Sequence, residues 1–339
     1  FADCEAAVEA GDIVHCKTVD GNRVTGEANM TFDTPAVAPS QDAPIKFQGY
    51  TSTPGDGGMF KWGHFLYIRE DCVMVEGFDI DQSSSSASFR CDGDACVIYR
   101  SKIVNNTAAF DGAMFLTDSS AVDCYISGDL DGAGKVVRLF RGNLINSYVE
   151  SDPDSSGGDC YVEANISFRP SMISGCIING TNSADIGISI DGDTNCQGAW
   201  ILNNTIFNVS NGIEFEDGFA ASRLAQVIIT QGNIIFNATN GIINSRGTNT
   251  SSVGAHFVNS NAMGSISSNQ YSNIQEELIS NKITLTEDPF IDKVDFELND
   301  AQGGGALCKF LGAGPRQYDP TLLGTTFANS RETGRRNFS

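Results

Sequence analysis

Two stretches in the middle of the chain repeat each other. Residues 201–215 read ILNNTIFNVSNGIEF and residues 230–244 read TQGNIIFNATNGIIN. Setting Ile206-Phe207-Asn208 on Ile235-Phe236-Asn237 also sets Asn211-Gly212-Ile213 on Asn240-Gly241-Ile242, every pair 29 residues apart. One step earlier, Cys176-Ile177-Ile178-Asn179 aligns with the first run and Gly187-Ile188-Ser189-Ile190 with the second. Weaker copies are Lys102-Ile103-Val104-Asn105, Gly112-Ala113-Met114-Phe115, Cys124-Tyr125-Ile126, Leu144-Ile145-Asn146 and Val73 to Ile80. The apolar runs are too short for helices, carry no helical period, and are separated by Asn, Gly, Asp or Ser. Short strands recurring at such a period predict a parallel β solenoid, in which each turn of chain is one rung. Equivalent residues of successive rungs then stack at ~4.8 Å.

This is an all-β reading: a single-stranded right-handed parallel β-helix, its hand taken from the crossover preference of parallel strands. Aliphatic residues fill the interior, Asn side chains at bends bond to the rungs above and below, and Gly supplies positive φ at corners. Residues 65–285 are the coil, about nine rungs of about 25 residues each and ~40 Å long at the strand spacing. Residues 1–64 hold an N-terminal cap and the first strands. Asp3 is read as the N-cap of a short helix that Gly11 stops, with Asp12-Ile13-Val14-His15-Cys16 as the first strand. Residues 286–339 break the repeat, contain Gly303-Gly304-Gly305, and end with Arg331, Arg335 and Arg336. They are expected to form a C-terminal cap and an extended arm that folds against a neighbour.

Charge narrows the partners. Lys and Arg number 21 against 42 Asp and Glu, a formal charge of −21. Phosphate would be repelled over most of such a surface, which excludes nucleic acid and anionic lipid. No stretch has the ~18 to 20 apolar residues of a membrane helix. The 10 cysteines are scattered, with Cys91 to Cys96 and Cys4 to Cys16 the close pairs, and most are expected to be small buried hydrophobes. Only His15, His64 and His256 are present, so neither zinc spacing nor a histidine-centred catalytic apparatus is available. The chain opens on Phe1, which reads as processing or trimming. Sequons such as those at Asn203, Asn208 and Asn237 are read as turn chemistry rather than glycosylation.

Three segments carry a family resemblance: the Gly-Asp-Ile-Val strand and preceding residues at 4–14, Ile45 to Tyr50 with Thr53-Pro54-Gly55-Asp56-Gly57-Gly58, and Val75 to Ile80 leading into the Asn-rich repeats. The chain resembles the right-handed parallel β-helix, pectate-lyase-like superfamily. That family includes polysaccharide lyases and hydrolases, phage tailspikes and depolymerases, and non-catalytic virion or cell-surface proteins. The stretch from Asp288-Pro289-Phe290 to Gly305-Ala306-Leu307 is similar to endings of phage and environmental β-helix proteins. The Asn-Thr-Asp, Asp-Asp, Gly-His-Gly and Arg-Ile-Lys motifs of the pectin-hydrolase-like members are absent, as is the tryptophan-containing motif of the pectate lyases.

One constellation has catalytic chemistry. Asp191 and Asp193 of one rung align near Glu216 and Asp217 of the next, with Arg246 on the rung after. Stacked carboxylates offer oxygen ligands for a structural Ca²⁺ from Asp191, Asp193, Glu216 and Asp217. They also offer an acid–base pair, and Asp191, Glu216, Asp217 and Arg246 are the candidates for it, the arginine suiting β-elimination. The bland alternative is a set of solvated turn acids. Asp92-Gly93-Asp94 and Asp129-Leu130-Asp131-Gly132 are read as simple turns, and Phe207, Phe215 and Phe236 as an internal stack.

The functional expectation is therefore a non-catalytic structural subunit of a phage virion or other extracellular assembly: a spike, fibre or decoration protein, self-associated as a homotrimer and docked on other assembly or capsid proteins. The alternative is a polysaccharide lyase or glycoside hydrolase acting on acidic or surface polysaccharide. The second alternative is a glycan-binding adhesin. All three place the protein in a virion, outside the cell or on its surface.

Overall fold

The computed structural model describes residues 7–18, 22–24, 29–82, 87–107, 112–130, 134–151, 160–165, 170–180, 185–191, 198–216, 227–245, 256–274, 276–293, 296–309 and 311. Every pairing between named strands is parallel, and antiparallel contact is confined to the isolated bridges Ser40–Ala43 and Phe290–Leu298. One sheet has 11 strands, running from Ile13–Lys17 and Ile45–Tyr50 through Val97–Tyr99 to Ile279–Ser280. We call it the first column. The other strands form a second and a third column. Phe60–Trp62, Lys102–Asn105 and Tyr148–Ser151 belong to the second; Leu66–Ile68, Met114–Thr117 and Cys160–Asn165 belong to the third. The two merge where Thr205–Phe215, Ile234–Asn244 and Ala262–Ser272 run round the corner unbroken. The chain thus winds through three faces per turn.

Registers follow the repeat. Ile206 pairs with Ile235 and Asn211 with Asn240, and one rung down Ile178 meets Ile206 and Ile188 meets Ile213. The stack Ile80, Ile103, Ile126, Val149, Ile178, Ile206, Ile235 and Met263 climbs the interior of the second column, each beside the last and all fully buried. β-branched side chains suit this position because their stiff rotamers pack against neighbours on a pleated surface. Leu144 and Ile145 belong to the first column instead, against Ala121 and Ile173.

The corner between the first and second columns is a polar ladder. Cys124 N–H donates to Ser147 Oγ at 3.2 Å, and Cys176 N–H to Asn204 Oδ1 at 2.9 Å. Above them Asn233 uses its whole side chain. Its Oδ1 accepts from Asn204 N and Nδ2 at 2.9 and 3.0 Å, while its Nδ2 donates to Ile201 O at 3.0 Å and Asn261 Oδ1 at 2.8 Å. The residue before each ladder position is left-handed: Arg100, Asp123, Asn146, Gly175, Asn203, Gly232 and Ser260 have φ between 48° and 69°. Asn and Gly tolerate that region best, which explains their abundance here. Asn208 and Asn237 hold left-handed positions where the second and third columns meet, so these sequon asparagines serve the turns. The described cysteines are unbridged, and burial pushes the Cys124 and Cys308 thiols up to about 12.

Two expectations are corrected. No helix precedes the first strand among the described residues. The chain at 9–12 closes as a tight turn, with Asp12 N–H on Glu9 O at 3.0 Å, Glu9 N–H on the Asp12 carboxylate at 2.9 Å, and Gly11 at φ 89°. A residue at that φ ends helical winding, and Asp3 lies outside the described residues. Phe207 and Phe236 do stack, 6.5 Å apart at 8°, but on the outside of the coil. Strand alternation turns Ile206 and Ile235 inward, so their neighbours must face out. Phe290 and Phe296 of the C-terminal segment cover the pair edge-on, with Phe296 5.6 Å from Phe207. Phe215 alone of the three lies inside, 4% exposed. Residues 312–339 lie outside the described residues.

The loop after Ile45–Tyr50 is built on one carboxylate. Asp56 accepts from the backbone N–H groups of Thr51, Ser52, Thr53 and Gly58, at 2.6 Å from Ser52 and 2.8 Å from Gly58. Burial works to raise its pKa, but the four donors outweigh it and hold it at about 2.

Two outcomes are expected. Asn233→Ala strands the donors and acceptors it served and lowers stability by roughly 2 to 3 kcal/mol in urea unfolding, with the slope unchanged. The folded Asp56 titrates below its unfolded value of ~3.9, so its support is present above that pH and lost as pH falls toward 2. Amide exchange at Ser52 and Gly58 should accelerate through that window, and Asp56→Asn should flatten the dependence.

Candidate functional site

The outer surface of the third column concentrates chemistry. Its inward residues are apolar and fully or nearly fully buried: Leu66 and Ile68, Phe89 and Cys91, Met114 and Leu116, Val137 and Leu139. The intervening residues must therefore point out. In register they make one ladder: Tyr67, Arg90, Phe115, Arg138, Glu163, Ser189, Glu214. A second ladder beside it runs Thr117, Phe140, Asn165, Asp191.

The lower half alternates guanidinium and aromatic rings. Arg90 Cζ lies 5.3 Å from the centre of the Tyr67 ring and 4.7 Å from that of Phe115, so the cation is sandwiched. Arg138 reaches the other side of Phe115 at 5.7 Å, Arg69 approaches Tyr67 at 5.5 Å, and Arg141 covers Phe140 at 4.8 Å. Guanidinium groups suit this arrangement because they are planar and weakly hydrated. Their edges meet acids. Arg90 bonds both Asp92 oxygens, at 3.1 Å through Nε and 2.9 Å through Nη2. Thr117 Oγ1 donates to the same carboxylate at 3.4 Å, and the Tyr67 hydroxyl donates to its Oδ2. Burial and the Asp92 hydrogen bond raise the Tyr67 pKa, so the phenol keeps its proton. Asp92 is thus the hub of the cluster, where the sequence had read a plain turn.

Glu163 marks the junction. It is 7% exposed and takes Lys135 Nζ at 2.9 Å and Arg138 Nε at 2.7 Å. Above it the face turns acidic. Asn165 Nδ2 donates to Asp191 at 3.3 Å, the Ser189 hydroxyl to Glu216, and Asn211 Nδ2 to Glu214 at 2.6 Å. Asp191 and Glu216, both chosen from the sequence, do fall on this face on successive rungs, Ile190 pairing with Phe215 just before them. Asp193, Asp217 and Arg246 lie outside the described residues. Among the described residues no three Asp, Glu, Cys or His side chains converge on one point as a metal site would require. Sequence reasoning missed Tyr67, Arg90, Phe115 and Arg138. The available signal was the polar or aromatic residue at the middle of Leu66-Tyr67-Ile68, Phe89-Arg90-Cys91 and Met114-Phe115-Leu116, spaced by one rung.

No protein-family model matches the sequence, and no curated protein matches it. Solved structures do. A PL6 family polysaccharide lyase from Pseudopedobacter saltans is 12% identical, over 92% of this chain and 96% of that one, with a TM-score of 0.45. The pectate lyase Pel9A is 12% identical over 74% and 73%, with a TM-score of 0.41. A mannuronic acid specific family 6 lyase from human gut microbiota is 10% identical over 84% of each chain, with a TM-score of 0.33. At such identities the likeness is one of fold alone, and the strand pairings show that fold to be a parallel β-helix. The solved proteins are lyases rather than virion subunits, and on that finding the expectation of a non-catalytic phage subunit is corrected.

Removing Glu163 should be costly. Glu163→Gln takes from Lys135, itself 5% exposed, the carboxylate that lies 2.9 Å from its Nζ. Stability should fall by about 3 kcal/mol in denaturant unfolding, and the Lys135→Met, Glu163→Gln double variant should recover part of it.

Proposed function

We propose that the protein is a polysaccharide lyase whose acidic substrate lies along the outer face of the third column. The observation that supports this is the sandwich of Arg90 between Tyr67 and Phe115, with Asp92 beside it. A uronate carboxylate pairs with guanidinium N–H groups, and the outward edges of the rings between them give apolar contact to the sugar. Alternation of the two at the rung spacing of ~4.8 Å provides both contacts repeatedly along one extended glycan.

β-Elimination removes the proton next to the uronate carboxyl and expels the neighbouring glycosidic oxygen. Arg90 and Arg138 neutralise the carboxylate as negative charge builds there, the kind of electrostatic stabilisation that dominates such steps. The Asp92 carboxylate takes the proton removed, and Tyr67, held protonated and hydrogen-bonded to Asp92, gives its own to the departing oxygen and regains one from Asp92. A polymeric substrate of this kind is met outside the cell or at its surface, where we place the protein. No helix among the described residues is long and apolar enough to cross a membrane.

The test is an assay on alginate, pectate and other acidic polysaccharides, following the ultraviolet absorbance of the new carbon–carbon double bond. Product should form. Arg90→Ala should lower kcat/KM by about 10²-fold or more. Tyr67→Phe should lower kcat by a similar factor with KM little changed, as expected of a group that acts in the transition state. Tight binding without any double-bond product would sink the lyase reading in favour of a glycan-binding protein.

A further inference from the structure

Beneath the Asp92 hub two thiols meet. Cys91 ends the strand Phe89–Cys91, and Cys96 immediately precedes Val97–Tyr99, so the pair brackets the corner from the third column to the first. Both side chains point inward, Cys91 at 0% and Cys96 at 4% exposure. Both line one small internal crevice together with Ile68, Val73 and Leu116. They also share Ser119 from the next rung: Cys91 Sγ lies 3.5 Å from its hydroxyl, and Cys96 N–H donates to it at 3.2 Å. That hydroxyl donates to Gly93 O at 2.7 Å, within the bracketed corner. Ala95 in the same corner is left-handed at φ 57°, a conformation an alanine holds only when its surroundings impose it. The neighbouring Cys96 lowers the Cys91 thiol, whereas Cys91 and burial raise the Cys96 thiol.

We propose that Cys91 and Cys96 are the site of an intramolecular disulfide that locks the corner carrying Asp92. The oxidant is a low-molecular-weight disulfide such as glutathione disulfide. Cys91, as thiolate, attacks one sulfur of the oxidant and releases one small thiol. Cys96 then loses its proton, attacks Cys91 Sγ, and releases the second. One S–S bond breaks in the oxidant and one forms in the protein, and two electrons and two protons pass to the small thiols. Because both sulfurs are buried in the finished coil, the exchange takes place as the chain folds, in an oxidising compartment. The bridge itself is independent of any activity. Its consequence, a fixed carboxylate for Tyr67 and Arg90, rests on the proposed lyase reading.

The rival is Cys72, half-buried on the neighbouring rung and close enough to Cys96 for their charges to interact. Trypsin separates the possibilities, since cleavage after Arg90 and Arg100 yields peptide 91–100 with both bracket cysteines, and Cys72 falls in 70–90. The full chain, produced by secretion, is unfolded in guanidinium with N-ethylmaleimide and digested without reduction. Peptide 91–100 should appear unlabelled and two hydrogens lighter than its dithiol form, and take two labels only after reduction. Two labels before reduction, or a cross-link to 70–90, overturns the proposal. Thermal unfolding gives the second readout. Reduction should lower the midpoint of the native sequence and of Cys72→Ser, and leave Cys96→Ser unmoved; a shift retained in Cys96→Ser also overturns it. A bridged protein that releases no unsaturated product would refute the lyase reading and leave the disulfide standing.

Discussion

Parallel rung-on-rung hydrogen bonding is the constraint from which the rest follows. It fixes equivalent residues of successive turns at one strand spacing, so a residue type chosen once per turn becomes a column. Ile80 to Met263 become a continuous apolar spine, and Asn204, Asn233 and Asn261 a chain of mutually satisfied amides. An asparagine buried singly would leave four hydrogen-bonding positions to fill. In a column each one fills its neighbour's, and the cost of burying an amide is met by repetition.

The same geometry builds the outer surface. Alternation along each strand sends every second residue of the third column out, and register places those residues in contact with the rungs above and below. Tyr67, Arg90, Phe115 and Arg138 lie one per rung, so cation and ring alternate without a loop to hold them. The strand backbone, paired on both sides, supplies the rigidity that a binding strip for a linear polymer requires. On the upper rungs Asp191, Glu214 and Glu216 are held by Asn and Ser donors. A long glycan laid along this face would meet cations first and carboxylates beyond Glu163.

Much of this was legible in the sequence. The 29-residue offset that aligned Ile206 with Ile235 is the register of the paired strands, and bend asparagines bonding between rungs are found at Asn204 and Asn233. What the repeat does not reveal is which face a residue takes. Phe207 and Phe236 are apolar and in register, yet they face outward and are half-buried under Phe290 and Phe296, which fold back over them. That contact joins segments far apart in sequence, and no local pattern announces it. The segment from Asp3 to Gly11 reads as a short helix because acids suit its first turn and Gly11 its end, but Gly11 and the Asp12 side chain close a tight turn at 9–12 instead. The strip at Tyr67 to Arg138 is hard to read from sequence because the repeats there are weak, whereas Asp191 and Glu216 follow the strong ones.

The most direct test of the account is a crystal structure of the protein with a bound acidic oligosaccharide. The account predicts sugar rings seated against the outward edges of Tyr67 and Phe115, carboxylates at Arg90 and Arg138, and the glycan axis running along the stack of rungs. An oligosaccharide seated on the first-column face around Trp200, with the Tyr67–Arg138 strip bare, would contradict it.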